Sequence, residues 1–156
     1  MRPSKDLYFA RMAELVSTRA TCIRRAIGCV LVNLRGHVLS TGYNGRPSGA
    51  PHCNHTGDIF DSTKIPYACE SAFAKSGDAL NGCDAIHAEQ NALLQCRDVY
   101  AIHTCYTTTS PCITCVKLLL NTSCTRIVYH TPYEAQFDTV TRLWYPNEMI
   151  WSGELS

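Results

Sequence analysis

The stretches Ile86-His87-Ala88-Glu89 and Ser110-Pro111-Cys112-Ile113-Thr114-Cys115 decide the fold of this chain. Each stretch lies at the start of a predicted helix. The first opens residues 85–97, and Pro111 precedes the second, where its fixed φ suits a first helical turn. Residues 102–108, between the two helices, alternate as a strand does. A helix, a strand and a second helix in this order predict a crossover connection on a sheet.

The same pattern continues on both sides of these stretches. The predicted elements are a helix at 6–20, strands at 26–32 and 37–42 joined by a turn at 33–36, a helix at 112–121, a strand at 126–130 and a helix at 134–144. This order predicts an α/β fold with a mixed sheet. The hairpin forms its antiparallel edge and the later strands pair in parallel. The last dozen residues receive no assignment.

Length and composition limit the class of protein. The 156 residues suit one compact domain, 1–156, with an irregular insertion at about 50–82 that is rich in glycine and proline. A net charge of +1 does not suggest a protein that coats nucleic acid or a membrane surface. No stretch has the length of a membrane span, and the N-terminus lacks the apolar segment of a signal peptide. We therefore expect a cytoplasmic protein without a membrane or stable nucleic-acid partner.

The 10 cysteines are numerous for such a chain. Without a secretion signal, reduced thiols are a better interpretation than a disulfide framework. Some would bind metal. Buried structural thiols are expected among apolar or helix-forming neighbours, at Cys29, Cys96, Cys105 and Cys124.

The two opening stretches together contain a set of zinc ligands. His87, Cys112 and Cys115 offer one imidazole and two thiolates, which leaves a fourth tetrahedral position for water. Zinc lowers the pKa of such a water toward about 7. Glu89, two residues from the histidine, is the predicted catalytic acid and base that moves the protons.

Each half of this pattern is ambiguous alone. The His87–Glu89 motif is common, and Cys112–Cys115 would also fit a redox pair or half of a structural zinc site. A closed structural site needs a fourth protein ligand. The two motifs in this order, with Pro111 before the first cysteine, match the signature of zinc nucleobase deaminases.

Four segments make the resemblance more specific. They are Ala26-Ile27-Gly28-Cys29-Val30, Ser40-Thr41-Gly42-Tyr43-Asn44-Gly45, His87-Ala88-Glu89-Gln90-Asn91-Ala92 and Thr108-Thr109-Ser110-Pro111-Cys112-Ile113-Thr114-Cys115. Over about residues 5–135 the chain resembles the deoxycytidylate (dCMP) deaminases, including phage-encoded ones, of the cytidine deaminase superfamily. The Ser40–Gly45 segment, followed by proline and an inserted loop, favours this group within the superfamily.

The resemblance implies a three-layer α/β/α sandwich with a five-stranded sheet. It implies conversion of dCMP to dUMP for thymidylate synthesis, activation by dCTP with Mg²⁺, inhibition by dTTP, and a homohexamer in the cytoplasm. If the chain is phage-encoded, that is the cytoplasm of the host cell.

The resemblance also suggests substrate contacts. Asn44 would contact the deoxyribose, and Tyr133 and Ser110 would lie near the nucleotide. Arg24 or Arg25, just before the first strand, is a candidate for the phosphate because a forked guanidinium suits that ligand. The alternative for each arginine is a solvated surface residue.

Some phage members carry a second zinc site, whose cysteines match Cys22 and Cys53 here. The position two residues before the histidine is acidic in those members and is Ala85 in this chain. Substitute ligands could come from His55, Cys69 and Cys83. The alternative is a set of buried thiols.

Three other functions stay open. The pocket could accept dCTP as well as dCMP. The enzyme could edit bases in a nucleic acid, although the near-neutral charge argues against that. The chain could also be an inactive nucleotide-binding or structural zinc protein, but the presence of Glu89 argues against lost catalysis.

Overall fold

The computed structural model describes residues 1–21, 25–45, 48 and 85–155. The helices are α1 (Lys5–Ser17), α2 (Ala88–Gln95), α3 (Ile113–Leu120) and α4 (Phe137–Trp144). The strands are β1 (Gly28–Asn33), β2 (Val38–Tyr43), β3 (Ile102–Thr109), β4 (Arg126–Thr131) and β5 (Glu148–Trp151). Short 3₁₀ turns occupy Val99–Ala101 and Ser152–Glu154. Within the described ranges, no helix is both long and apolar enough to traverse a bilayer.

The five strands form one mixed sheet in the order β2-β1-β3-β4-β5. Strand β1 pairs antiparallel with both β2 and β3, whereas the β3–β4 and β4–β5 pairs are parallel. The predicted antiparallel hairpin edge and parallel second half are therefore confirmed. Strand β5 lies in the last dozen residues, which the sequence pattern left unassigned. It has four residues, which is too short to show a clear alternating pattern, and among the described strands it pairs with β4.

Helices cover both faces of the sheet. On one face, α1 buries Phe9 and Ala13 against Val30 and Tyr106. On the other face, α2, α3 and α4 share a core with alternate residues of the central strands, which includes Cys29, Leu31, Ala92, Cys105, Val116, Ile127 and Trp144. Because successive side chains of a strand point to opposite faces, β1 is buried on both sides. The predicted three-layer α/β/α architecture is confirmed.

Glycine lets α2 approach the sheet closely. A Cβ atom at Gly42, on β2, would lie 2.3 Å from the Ala88 carbonyl oxygen and 2.4 Å from the Ala92 nitrogen. Such distances are too short for any side chain, so the contact requires glycine. This contact packs the start of α2 closely against β2.

Several predicted boundaries were too wide. Helix α1 ends at Ser17 and not at residue 20, because the Thr18 N–H turns back to the carbonyls of Leu15 and Val16. Helix α4 begins at Phe137, three residues later than predicted. Cys29, Cys105 and Cys124 are buried as expected, but Cys96 caps the end of α2 and is only partly buried. The predicted insertion at 50–82 lies outside the described residues.

Candidate active site

His87 is placed by the first turn of α2. It is the N-cap residue, and its backbone N–H donates to the Gln90 Oε1 at 2.9 Å. In a capping box, the side chain of the third helical residue accepts a hydrogen bond from the backbone N–H of the N-cap residue. Gln90 thus fixes the backbone of His87 at the start of α2.

The two cysteines are placed by the first turn of α3. Cys112 is the N-cap residue, and Cys115 lies within the first helical turn. The Ile113 N–H donates to the Gln136 Oε1 at 2.7 Å, so a side chain from the segment before α4 caps this helix. Both predicted motifs therefore stand at helix starts.

The three predicted ligand side chains meet in space. His87 Nδ1, Cys112 Sγ and Cys115 Sγ all lie within 4.8 Å of one another. The imidazole nitrogen is 3.3 Å from the Cys115 sulfur and 3.4 Å from the Cys112 sulfur. Tetrahedral zinc, with its usual bond lengths to nitrogen and sulfur, separates such atoms by about 3.6 Å. The donor set and its spacing therefore fit a zinc ion.

The electrostatics of the cluster also suit a cation. A hydrogen bond from the Cys115 thiol, reinforced by His87, lowers the pKa of Cys112 to about 4. The same bond to Cys112, together with burial, raises the pKa of Cys115. A thiolate, which the lowered pKa favours at Cys112, is the form of cysteine that binds a metal ion.

Glu89 lies in the first turn of α2, beside this cluster, with only 4% of its surface exposed. Burial raises the pKa of its carboxyl group, with a smaller opposing effect from His87. The Thr107 hydroxyl, on β3, donates to the Glu89 Oε1 at 3.1 Å. A carboxyl group with a raised pKa is suited to taking up and returning a proton near neutral pH.

Tyr133 contains a buried polar atom without a protein partner. The residue is 5% exposed, and its hydroxyl has no hydrogen-bond partner among the residues that the structure describes. The Tyr133 N–H donates to the Ser110 Oγ at 2.6 Å, and the Arg25 guanidinium lies 5.0 Å from the centre of the Tyr133 ring. Buried hydroxyls are normally hydrogen-bonded, so this one is available to a ligand.

Asn44 is buried and tied to the backbone that leads into β1. Its Oδ1 accepts from the Ile27 N–H at 2.8 Å, and its Nδ2 donates to the Arg25 carbonyl at 2.6 Å. An amide side chain keeps one further lone pair and one further proton beyond these bonds. In this structure Asn44 therefore holds the backbone of Arg25 in place.

The remaining predicted site residues lie outside the described residues; they are Cys22, Arg24, Cys53 and the substitute zinc ligands His55, Cys69 and Cys83. The structure adds three residues with contacts at the site that carried no predicted role, namely Gln90, Thr107 and Gln136. The spacing of Gln90 from His87 matches a capping box and could have identified it. Thr107 and Gln136 act on residues 18 and 23 positions away, so no local pattern marks them.

Comparison with known proteins gives a family match over most of the chain. Residues 3–131 match the family described as the cytidine and deoxycytidylate deaminase zinc-binding region. The chain is 41% identical over 145 residues to the deoxycytidylate deaminase of Schizosaccharomyces pombe. That match covers 91% of this chain but only 42% of the yeast protein, so the chain spans about two fifths of that relative's length.

Relatives of similar length occur among phages. The deoxycytidylate deaminase of Mycobacterium phage D29 is 36% identical over 132 residues, which cover 82% of this chain and 95% of the phage protein. The crystal structure of the dCMP deaminase of cyanophage S-TIM5, in its apo form, superimposes with a TM-score of 0.65 at 25% identity. That match covers 96% of this chain and all of the phage chain.

Proposed function

The chain belongs to the cytidine and deoxycytidylate deaminase family, and on this basis we propose that it hydrolyses dCMP to dUMP and ammonia. The observation that carries the proposal is the buried Glu89 carboxyl group beside the cluster of His87, Cys112 and Cys115. A redox pair of cysteines would not need that carboxyl group.

The three ligand side chains would hold zinc, which supplies a water molecule activated for attack on the amino-bearing carbon of cytosine. Glu89 takes a proton from the attacking water and passes it to the adjacent ring nitrogen. It then takes the remaining proton from the new hydroxyl group on that carbon and delivers it to the departing amino group. Water adds, ammonia leaves and a carbonyl remains, so the carboxyl group ends in its starting state. Its burial keeps other water away from the proton that it moves.

The substrate side of the pocket is proposed to lie at Tyr133 and Arg25. The support is the unpartnered Tyr133 hydroxyl, together with the guanidinium that lies over its ring. A phenol and a guanidinium both donate to phosphate oxygens. Asn44 contributes by holding the backbone of Arg25 in place. Its remaining amide proton and lone pair would form hydrogen bonds with the sugar. Ser110 positions Tyr133.

Tyr133→Phe tests this assignment. We expect kcat/KM for dCMP to fall roughly 10-fold or more, because a hydrogen bond to a charged group is lost. The variant should unfold at the same temperature as the wild type or higher, since it removes an unsatisfied buried hydroxyl. Steady-state kinetics and calorimetry measure the two effects.

Tyr106→Phe is the matched control for this change. Its hydroxyl donates to Asp6 on the α1 face, so the control should lose stability and keep kcat/KM. Unchanged kcat/KM in the Tyr133 variant would show that its hydroxyl does not contact the substrate.

The proposed reaction itself is tested by following the loss of cytosine absorbance with zinc-loaded protein and dCMP. Parallel assays with dCTP, deoxycytidine and CMP determine the phosphate number and the sugar that the pocket accepts. Lack of turnover with every nucleotide, with one zinc bound per chain and dCTP with Mg²⁺ present, would contradict the proposal.

We further propose, from the family resemblance, activation by dCTP with Mg²⁺, inhibition by dTTP and a homohexameric assembly. The dUMP formed would supply thymidylate synthesis. Kinetics with each effector, and light scattering with and without it, test these points. We place the reaction in the cytoplasm, or in that of the host cell for a phage-encoded chain, because the described residues include several free cysteines, which a reducing compartment keeps as thiols.

A second zinc site at Cys22 and Cys53 is a separate proposal, and its support is the match of these two cysteines to those of phage members. Metal analysis of the purified protein decides it. Two zinc ions per chain, falling to one in Cys53→Ser, would support the site. One zinc per chain in the wild type would contradict it.

A further inference from the structure

The Glu89 carboxyl group is buried beside small apolar residues of its own helix. Its neighbours on the same helix, Ala88 and Ala92, are fully buried and apolar. A glutamate side chain has three rotatable bonds, and its last torsion is broad, so the backbone alone does not fix the carboxyl plane. A buried carboxyl group in such surroundings needs a donor to hold one orientation.

Thr107 supplies this donor from the sheet. It lies opposite Cys29 in the β1–β3 register and is 1% exposed. Its side chain points to the same face as Cys105, where α2 packs, because alternate strand residues share a face. Its hydroxyl is within hydrogen-bond distance of the Glu89 Oε1, at 3.1 Å.

The Thr107 hydroxyl is itself held in place. It also donates to the Thr109 carbonyl oxygen at 2.8 Å, so its single proton serves two acceptors. A β-branched side chain has restricted χ1, and this second contact restricts it further. The hydroxyl is therefore a fixed point on β3.

The contact between Thr107 and Glu89 does not involve a predicted metal ligand. The cluster consists of His87, Cys112 and Cys115, and Thr107 lies outside it on β3. Its hydroxyl can therefore donate to Glu89 whether or not the cluster holds an ion.

We propose that Thr107 is a positioning residue whose hydroxyl holds the Glu89 carboxyl group facing the cluster of His87, Cys112 and Cys115. This inference rests on the proposed function, because it concerns the group that moves protons in that reaction. Thr107 does not contact the reacting atoms. It acts through Glu89.

The test compares Thr107→Val with Thr107→Ser in zinc-loaded protein. Valine keeps the shape and favours a strand, so the fold is retained, whereas serine keeps the hydroxyl. We expect valine to lower kcat for dCMP about 10-fold, the effect of roughly one lost hydrogen bond to a charged group, with KM within about twofold. Serine should restore kcat to within about threefold of the wild type, and both variants should bind as much zinc as the wild type.

Thr104→Val is the matched control, because Thr104 is a buried threonine of the same strand whose hydroxyl contacts Arg126 on the other face. It should lower stability without changing kcat. Wild-type kcat in Thr107→Val, or an equal loss in the valine and serine variants, would overturn the proposal.

A crystal structure of zinc-loaded Thr107→Val gives a readout that does not depend on turnover. Displacement of the Glu89 carboxyl group by about 1 Å or more is expected, and an unchanged position would overturn the proposal whatever the rates are. If the wild type does not act on dCMP, the proposed function fails, and this structure still decides the positioning role.

Discussion

Glu89→Gln is expected to lower kcat for dCMP on the order of 10³-fold while zinc content and fold stay as in the wild type. General acid–base catalysis contributes about 10² to 10⁴ in rate, and here one carboxyl group serves every proton transfer. Glutamine keeps the shape and can still contact the Thr107 hydroxyl, but it cannot exchange a proton. Single-turnover kinetics and metal analysis measure the two quantities.

Glu154→Gln is the matched control, because Glu154 is an exposed carboxylate in the last 3₁₀ turn. It should leave kcat unchanged. A Glu89→Gln variant with more than a tenth of wild-type kcat would mean that another group moves the protons. The mechanism proposed here would then be wrong.

Cys115→Ser should abolish stoichiometric zinc binding and, with it, measurable turnover. Cys115 is fully buried at the first turn of α3, and a hydroxyl is a much poorer zinc ligand than a thiolate. The variant should also lose the stability that bound zinc gives the folded state, so its unfolding temperature should match that of chelator-treated wild type. Chelator competition and calorimetry measure these changes.

Cys96→Ser is the control for a general effect of losing a thiol. Cys96 is partly buried at the end of α2, and among the described residues its thiol donates to the Asp98 carbonyl oxygen. This variant should keep zinc, turnover and most of its stability. Cys115→Ser protein that still binds one zinc per chain with wild-type affinity would show that Cys115 is not a ligand.

Much of the site could be predicted because the spacing of its residues along a helix determines which side chains lie close together. Cys112 and Cys115 are three residues apart at a helix start, so both sulfurs can point to one ion. His87 and Glu89 share one turn in the same way. The helix boundaries were less predictable, since the non-helical backbone of Gln136 decides where α4 begins and turn contacts at Thr18 decide where α1 ends.

Residues whose partners are distant were not predictable. Nothing in the sequence around Tyr133 indicates that its hydroxyl is buried without a partner, because the residues that surround it come from several separate segments. Asn44 was expected at the sugar, and its bonds to the backbone of Arg25 and Ile27 became visible only after folding. Strand β5 was missed because its pairing with β4, more than its own composition, makes it a strand.

The sequence by itself determined the candidate metal-ligand set of His87, Cys112 and Cys115, the nearby Glu89 and the mixed α/β sheet, because local spacing sets helix faces and strand order. Only the tertiary structure decided how Glu89 is oriented. The register of β1 with β3 and the close approach of α2 at Gly42 bring the Thr107 hydroxyl to Glu89. Such contacts depend on how whole elements pack, so no short stretch of sequence contains them.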